Sequence, residues 1–203
     1  MRLLRITGRK LFLSLLTGAL LAPASVFAAP AQVILIRHAE KPEHGSELSP
    51  QGFKRARALV KFFKTSAAVT LYGTPAAIYA AAPKNEGSSV RSIQTVQPLA
   101  EALNLRVDAA YTRGQTHKLV RALMEAPEYK GKMVLICWQH EALVKIALEL
   151  TAYNGSAATV QDSIPQFWPG ETFDRAWILD FAGGKATSFT NIPQRLLPGD
   201  SSK

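Results

Sequence analysis

The stretch VILIRHAEKP, residues 33–42, decides the fold of this chain. Four apolar residues end abruptly in Arg37 and His38, and the stretch closes on a proline that cannot continue a strand. This pattern predicts a buried parallel strand with charged side chains at its carboxyl end, where open α/β sheets bind their ligands. An Arg-His pair at that end suits chemistry on an anion. Taken alone, the stretch also fits a strand followed by a polar surface loop.

A second stretch, MVLICWQHE at residues 133–141, repeats the pattern. An apolar run ends in His140 and Glu141, and a helix is expected to follow. Two histidines at the carboxyl ends of neighbouring parallel strands would face one pocket. A core histidine with satisfied hydrogen bonds is the alternative for His140 alone.

A third candidate, Arg91, follows a loop rich in Gly, Ser and Asn at residues 83–89. Ser88 or Ser89 is expected to cap the next helix, which places Arg91 in or beside its first turn. Free N–H groups at a helix start attract phosphate, and a guanidinium adds a two-pronged donor. Arg91 is therefore the second predicted phosphate ligand, with an ordinary surface arginine as the alternative.

The helix predicted to begin at Pro50, after a Ser49 cap, is amphipathic. Its apolar face is expected to pack on the sheet and its basic residues to form a solvated face. These basic residues are Lys54, Arg55, Arg57, Lys61 and Lys64. A strand at residues 175–181 and a Gly183-Gly184 turn predict a hairpin, and the tail from Pro193 is expected to fray. Phe167 and Trp168 would either wall the substrate entrance or plug the sheet edge.

Four segments resemble, in order, motifs of the histidine phosphatase superfamily, which includes phosphoglycerate mutases and acid phosphatases. They are residues 37–40, with Ala39 in place of the usual glycine, and residues 48–52, 90–95 and 134–140. The resemblance covers residues 33–181. It implies an α/β fold, a three-layer α/β/α sandwich with a mainly parallel central sheet, as in phosphoglycerate mutases.

The resemblance also implies a phosphomonoesterase that works through a phosphohistidine, without metal or cofactor. His38 would be the nucleophile, and Arg37, Arg91 and His140 would hold the phosphate oxygens. Glu141 resembles the acid that the acid-phosphatase branch carries after its second histidine, and would protonate the leaving oxygen. The acidic segment of the mutase branch has no match here, which argues against mutase activity.

Several alternatives stay open at this point. Glu40 is the second candidate for the proton donor. His38, Glu40 and His44 weakly suggest a metal site, but no cysteine or third histidine lies nearby. The chain could also be a non-catalytic protein that binds phosphate or a sugar phosphate, or an anchored envelope protein whose basic helix face docks on anionic lipid.

The N-terminal segment, residues 1–28, has the pattern of a secretory signal. Four basic residues precede an apolar core at residues 11–22, which is short of the roughly 20 residues of a membrane-spanning helix, and cleavage is expected after Ala28. An uncleaved membrane anchor is the alternative. Residues 29–203 are then expected to form one domain, which would be periplasmic or secreted. The expected substrate is a small or envelope-associated phosphate ester of a metabolite, glycan or lipid.

The net charge indicates which partners the chain binds, and the cysteine content indicates whether it forms a disulfide. The chain has 24 Lys and Arg against 15 Asp and Glu, and without the four basic residues of the predicted signal the net charge is +5. This moderate, scattered charge suits phosphorylated substrates and argues against nucleic-acid binding. The single cysteine, Cys137, lies in an apolar run, so we expect a buried small hydrophobe and no intrachain disulfide.

Overall fold

Six strands form one sheet in the computed structural model, which describes residues 29–202. The predicted signal therefore lies outside the described residues. The strands are β1 (Gln32–Arg37), β2 (Ala77–Ala80), β3 (Val107–Asp108), β4 (Met133–Trp138), β5 (Arg175–Ala182) and β6 (Lys185–Pro193). The helices are α1 (Pro50–Thr65), α2 (Arg91–Ala102), α3 (Thr116–Glu125), α4 (His140–Ala152) and α5 (Ala158–Asp162), with a 3₁₀ turn at Pro127–Tyr129. None of the helices in residues 29–202 combines the length and apolar character needed to cross a membrane.

The sheet is mixed, in the order β3-β2-β4-β1-β5-β6. The first four strands in this order run parallel, whereas β5 is antiparallel to both β1 and β6. The β5–β6 connection is the predicted turn at Gly183 and Gly184, where both residues have positive φ. A connection this short joins only antiparallel strands. The α/β class is thus confirmed, with an antiparallel edge beside the parallel part.

Alternate residues of β1 contribute to two separate cores. Val33 and Leu35 pack with residues of α3, α4 and α5, whereas Ile34 and Ile36 pack with residues of α1 and α2. Successive side chains of a strand point to opposite faces, so helices cover both faces of the sheet. This explains why β1 and β4 are apolar without alternation and buried at every position.

The start of α1 lies against the loop that follows β1. Ser49 Oγ accepts a hydrogen bond from Gly52 N at 3.1 Å, which confirms the predicted cap, and Pro50 is the first helical residue. Ser49 N donates to the Glu40 carbonyl oxygen at 2.9 Å. A Cβ atom at position 52 would overlap that same oxygen. Gly52 therefore allows the helix to approach the loop closely.

Arg55 does not lie on the solvated face of α1, which corrects the sequence prediction. It is 3% exposed and forms ion pairs with Glu40 at 2.7 Å and Asp200 at 2.6 Å. Burial disfavours its charge, but hydrogen bonds to the two carboxylates outweigh that effect and raise the pKa of Arg55. We call this group the Arg55 brace.

The tail after β6 is held rather than frayed, again contrary to the prediction. Asp200 accepts hydrogen bonds from the backbone N–H groups of Leu196 and Leu197 at 2.7 and 3.0 Å, in addition to those from Arg55. Gln194 N donates to the Asp174 carbonyl oxygen at 2.7 Å. These bonds satisfy a segment whose composition alone suggests disorder.

Replacing Arg55 by Met should destabilise the protein by about 3–5 kcal/mol, because two carboxylates would lose their buried partner. Burial opposes the charge of Asp200, but its hydrogen bonds with Arg55 lower its pKa. The contribution of Asp200 to the free energy of unfolding is therefore complete at a pH above the ordinary aspartate pKa. It is lost as the pH falls through that pKa and then through the lower pKa of the folded protein. Urea unfolding at several pH values measures both effects. Arg57→Met, on the exposed face of the same helix, is the control, and equal losses in both variants would contradict the brace.

Candidate active site

The parallel pairing of β1 with β4 brings the two predicted histidines to one edge of the sheet. Arg37, the last residue of β1, is in register with Trp138, the last residue of β4. The pairing continues one residue further, since His38 N donates to the Trp138 carbonyl oxygen at 3.0 Å. His140 then begins α4. Both histidines therefore lie at the carboxyl ends of neighbouring strands, where α/β sheets bind ligands.

His38 is buried and holds one tautomer. Its Nδ1 lies 2.8 Å from the Ala39 carbonyl oxygen, which can only accept, so Nδ1 carries the proton. Burial lowers the pKa of His38 to about 4 against the opposing effect of this bond, and the charges of Arg37 and Arg91 lower it further. The imidazole is therefore neutral near pH 7, and its Nε2 lone pair is available as a nucleophile.

Arg37 is fixed by the loop that precedes β5. Its Nη1 donates to the carbonyl oxygens of Gly170 and Thr172, the latter at 3.2 Å, and its Cζ lies 3.9 Å from the centre of the Phe173 ring. Burial lowers the pKa of Arg37 to about 10, so it remains a cation at neutral pH. Its Nε is buried and has no hydrogen-bond partner among residues 29–202.

Arg91 occupies the first position of α2, as predicted. The predicted serine cap is wrong, because the N-cap residue is Val90, which makes no side-chain cap hydrogen bond. Ser89 Oγ accepts a 3.4 Å bond from Arg91 N. The guanidinium is held by Nη1, which donates to the Gly45 carbonyl oxygen at 2.8 Å. Burial lowers the pKa of Arg91, and its Nε is buried without a partner in the described part of the chain. Arg37 and Arg91 thus each offer a desolvated N–H group.

Thr95 and Gln94 have roles that the sequence did not reveal. Thr95 Oγ1 accepts from Ala39 N at 2.8 Å and donates to the Arg91 carbonyl oxygen at 2.7 Å. Gln94 Oε1 accepts from Leu48 N at 2.9 Å. The two side chains therefore tie α2 to the loop after His38, which sets the position of His38 relative to Arg91.

The start of α4, directly after β4, contributes His140 and Glu141. Burial lowers the pKa of His140, and the Arg37 charge adds to the lowering. Glu141 lies 3.7 Å from His140 Nδ1 and forms an ion pair with Arg113 at 3.0 Å, and both residues of that pair are about half exposed. Arg113, which the sequence analysis left without a role, is anchored because its carbonyl oxygen accepts from Trp138 Nε1 at 3.1 Å.

The remaining carboxylates near the pocket differ in their partners. Glu40 is bound to Arg55 through three hydrogen bonds of 2.7–3.1 Å, so it serves the Arg55 brace. Glu171, which sequence reasoning missed, exerts the strongest carboxylate effect on the Arg37 guanidinium. His44 is exposed and pairs with Glu43 at 3.9 Å. No group of three or more metal-ligating side chains occurs in residues 29–202.

Phe167 and Trp168 lie in the loop before β5 and differ in their surroundings. Trp168 is buried, its ring centre is 4.7 Å from that of Trp177, and its Nε1 donates to the Thr172 carbonyl oxygen at 2.9 Å. Phe167 is 71% exposed. Trp168 therefore closes the core beside the sheet edge, whereas Phe167 faces outward.

Comparisons with known proteins support the fold. A candidate alpha-ribazole-5'-P phosphatase from Escherichia coli K-12 matches with a TM-score of 0.54 and 12% identity, over 81% of this chain and 98% of its own. A candidate phosphohistidine phosphatase SixA from Agrobacterium tumefaciens has a TM-score of 0.48, 18% identity and coverage of 79% and 98%. A mycobacterial glucosyl-3-phosphoglycerate phosphatase, Rv2419c, has a TM-score of 0.48 and 12% identity, over 80% of this chain and 95% of its own. No protein-family model and no curated protein matches the chain. The α/β fold that the resemblance implies is thus confirmed.

His38 should remain neutral down to about pH 4, because burial and two arginines oppose its protonation. Imidazole ¹⁵N NMR should show the Nδ1–H tautomer at pH 7, with the signal assigned by its loss in His38→Gln. Unfolded His38 takes up its proton near pH 6.5, so the protein should lose stability between about pH 6.5 and about pH 4, and His38→Gln should lack that part of the loss. A titration midpoint near 6.5 in the folded protein would refute the buried neutral state.

Proposed function

We propose that this chain is an exported phosphomonoesterase that acts through a phosphohistidine at His38 on a small or envelope-associated phosphate ester. The observation that carries the proposal is the neutral His38, with Nδ1 held by a carbonyl oxygen and Nε2 free, beside two arginines that each keep an unpartnered buried N–H group. The predicted signal at residues 1–28 supports export. The three structures compared are each described as phosphatases, which agrees with this class of reaction.

In the first step, His38 Nε2 attacks phosphorus in line and the bond to the ester oxygen breaks. Arg37, Arg91 and His140 hold the three other oxygens of the phosphoryl group, where the negative charge of the transition state is spread. Glu141 gives its proton to the departing oxygen, which leaves as an alcohol. The products are the phosphohistidine and a carboxylate on Glu141.

In the second step, water attacks the phosphohistidine and the N–P bond breaks, which returns His38 to its neutral state. The Glu141 carboxylate accepts the proton that the water loses, so inorganic phosphate leaves and the acid is restored. Arg113 holds the Glu141 carboxylate in place for this second role, because the two form an ion pair. Glu40 is unsuited to it, because the Arg55 brace occupies its oxygens.

His38→Ala should abolish the hydrolysis of p-nitrophenyl phosphate, because it removes the nucleophile. Wild-type protein mixed with ³²P-labelled substrate and quenched should carry acid-labile, base-stable label, and the variant none. His117→Ala, an exposed histidine on α3, is the matched control and should keep both turnover and label. Turnover at the wild-type rate in His38→Ala would exclude the mechanism. Binding of phosphate without any turnover by wild-type protein would instead favour a phosphate-binding protein.

Glu141→Gln should slow the hydrolysis of an alkyl phosphate by roughly 10²–10⁴-fold, because general acid catalysis matters most for a poor leaving group. The hydrolysis of p-nitrophenyl phosphate should slow far less, since its phenolate leaves without a proton. Glu171→Gln is the matched carboxylate control and should show no such difference between leaving groups. Reversed results for the two variants would assign the acid to Glu171, and equal slowing of both substrates would make Glu141 a binding residue.

A further inference from the structure

A groove of about 660 Å³ begins at the candidate active site and continues along α4. Its volume lies in the range of small-molecule sites. One wall consists of His140, Val144, Leu148 and Ala152. These four residues are spaced by four, so they form a single row on the surface of α4. The row starts with His140, and its other three residues are apolar.

The opposite wall comes from the loop that also holds Arg37. Trp168 and Phe167 line the groove, and the Thr172 carbonyl oxygen accepts hydrogen bonds from both Trp168 Nε1 and Arg37 Nη1. Gly170 brings the same loop close to the histidine, since a Cβ atom there would lie 3.8 Å from His140 Nε2. The groove and the candidate phosphate site therefore share His140 and the loop before β5.

The groove contains half of the large hydrophobic residues that are exposed in residues 29–202. Within residues 29–202, four large hydrophobic residues are exposed, and two of them, Leu148 and Phe167, line this groove. Two charged residues also line the groove and pair with each other. Lys145 lies 3.8 Å from Glu149, whose Oε1 also accepts a 3.2 Å bond from Thr116 Oγ1. The groove thus offers apolar contacts next to a pocket that offers cations.

We infer that the groove binds an apolar leaving group, so that the preferred substrate is the phosphate monoester of an amphiphile, with an alkyl, acyl or aromatic portion lying along α4. This inference rests on the proposed function and specifies its substrate class. With the phosphate between Arg37, Arg91 and His140, the ester oxygen lies at the Glu141 end of the groove. A sugar would place hydroxyl groups against the apolar side chains of Val144, Leu148 and Phe167, although Gln161 and Gln166 also line the groove.

Alkylphosphonates of increasing length test the groove independently of catalysis, because they bind without being cleaved. Calorimetry with methyl-, butyl- and octylphosphonate should show the affinity rising by roughly threefold per buried methylene, with an increasingly negative heat-capacity change. In parallel, kcat/KM for the matching alkyl phosphates should rise with length. Equal affinity for all three phosphonates would overturn the inference. A rise in affinity without turnover of any alkyl phosphate would keep the groove and refute the proposed function.

Phe167→Ser and Leu148→Ser should reduce octylphosphonate affinity about tenfold more than methylphosphonate affinity. Both side chains are exposed, so the fold should tolerate these changes. Leu71→Ser is the control, because Leu71 is 72% exposed, as Phe167 is at 71%, but lies on the loop after α1; it should leave both affinities unchanged. Equal losses for the two phosphonates would overturn the inference. A concentration-dependent dimer that Phe167→Ser dissociates would also overturn it, because a second copy would then cover the groove.

Discussion

The parallel pairing of β1 with β4 is the constraint on which the site depends. Both strands are buried at every position, and their register places Arg37 opposite Trp138. A shift of one residue would turn every side chain of β1 to the other face and exchange the two cores. The same pairing ends both strands at one level, where the chain must leave the sheet. His38 and His140 are therefore neighbours because two apolar strands fit only one way.

The elements that local sequence determines were predicted well. Continuous apolar runs identified β1 and β4, a Ser-Pro pair marked the start of α1, and two glycines marked the β5–β6 turn. Arg91 was placed at the start of α2 from the loop before it. Each of these features depends on a few adjacent residues, so the chain itself contains the signal. The meeting of His38 and His140 at one sheet edge depends instead on the pairing of β1 with β4.

Features that depend on distant partners were missed or predicted wrongly. Arg55 reads as a surface residue of a basic helix until Asp200, 145 positions later, is seen to bind it. Thr95 has no evident task without Ala39, and Arg113 none without Glu141. The tail was expected to fray because its composition is typical of loops. In each case the decisive group is a polar partner brought close by the fold, which no periodicity in the sequence records.

The three residues of the Arg55 brace are synthesised at different times. A ribosome makes the chain from its N-terminus, so Glu40 and Arg55 emerge early, whereas Asp200 follows β6. A nascent chain that has completed all the pairings of β1 still lacks the second carboxylate of its buried arginine. The loop that carries His38 is thus fully supported only when the last strand and the segment after it have been translated. A nascent chain that ends before Asp200 therefore holds this loop through one carboxylate of the brace rather than two.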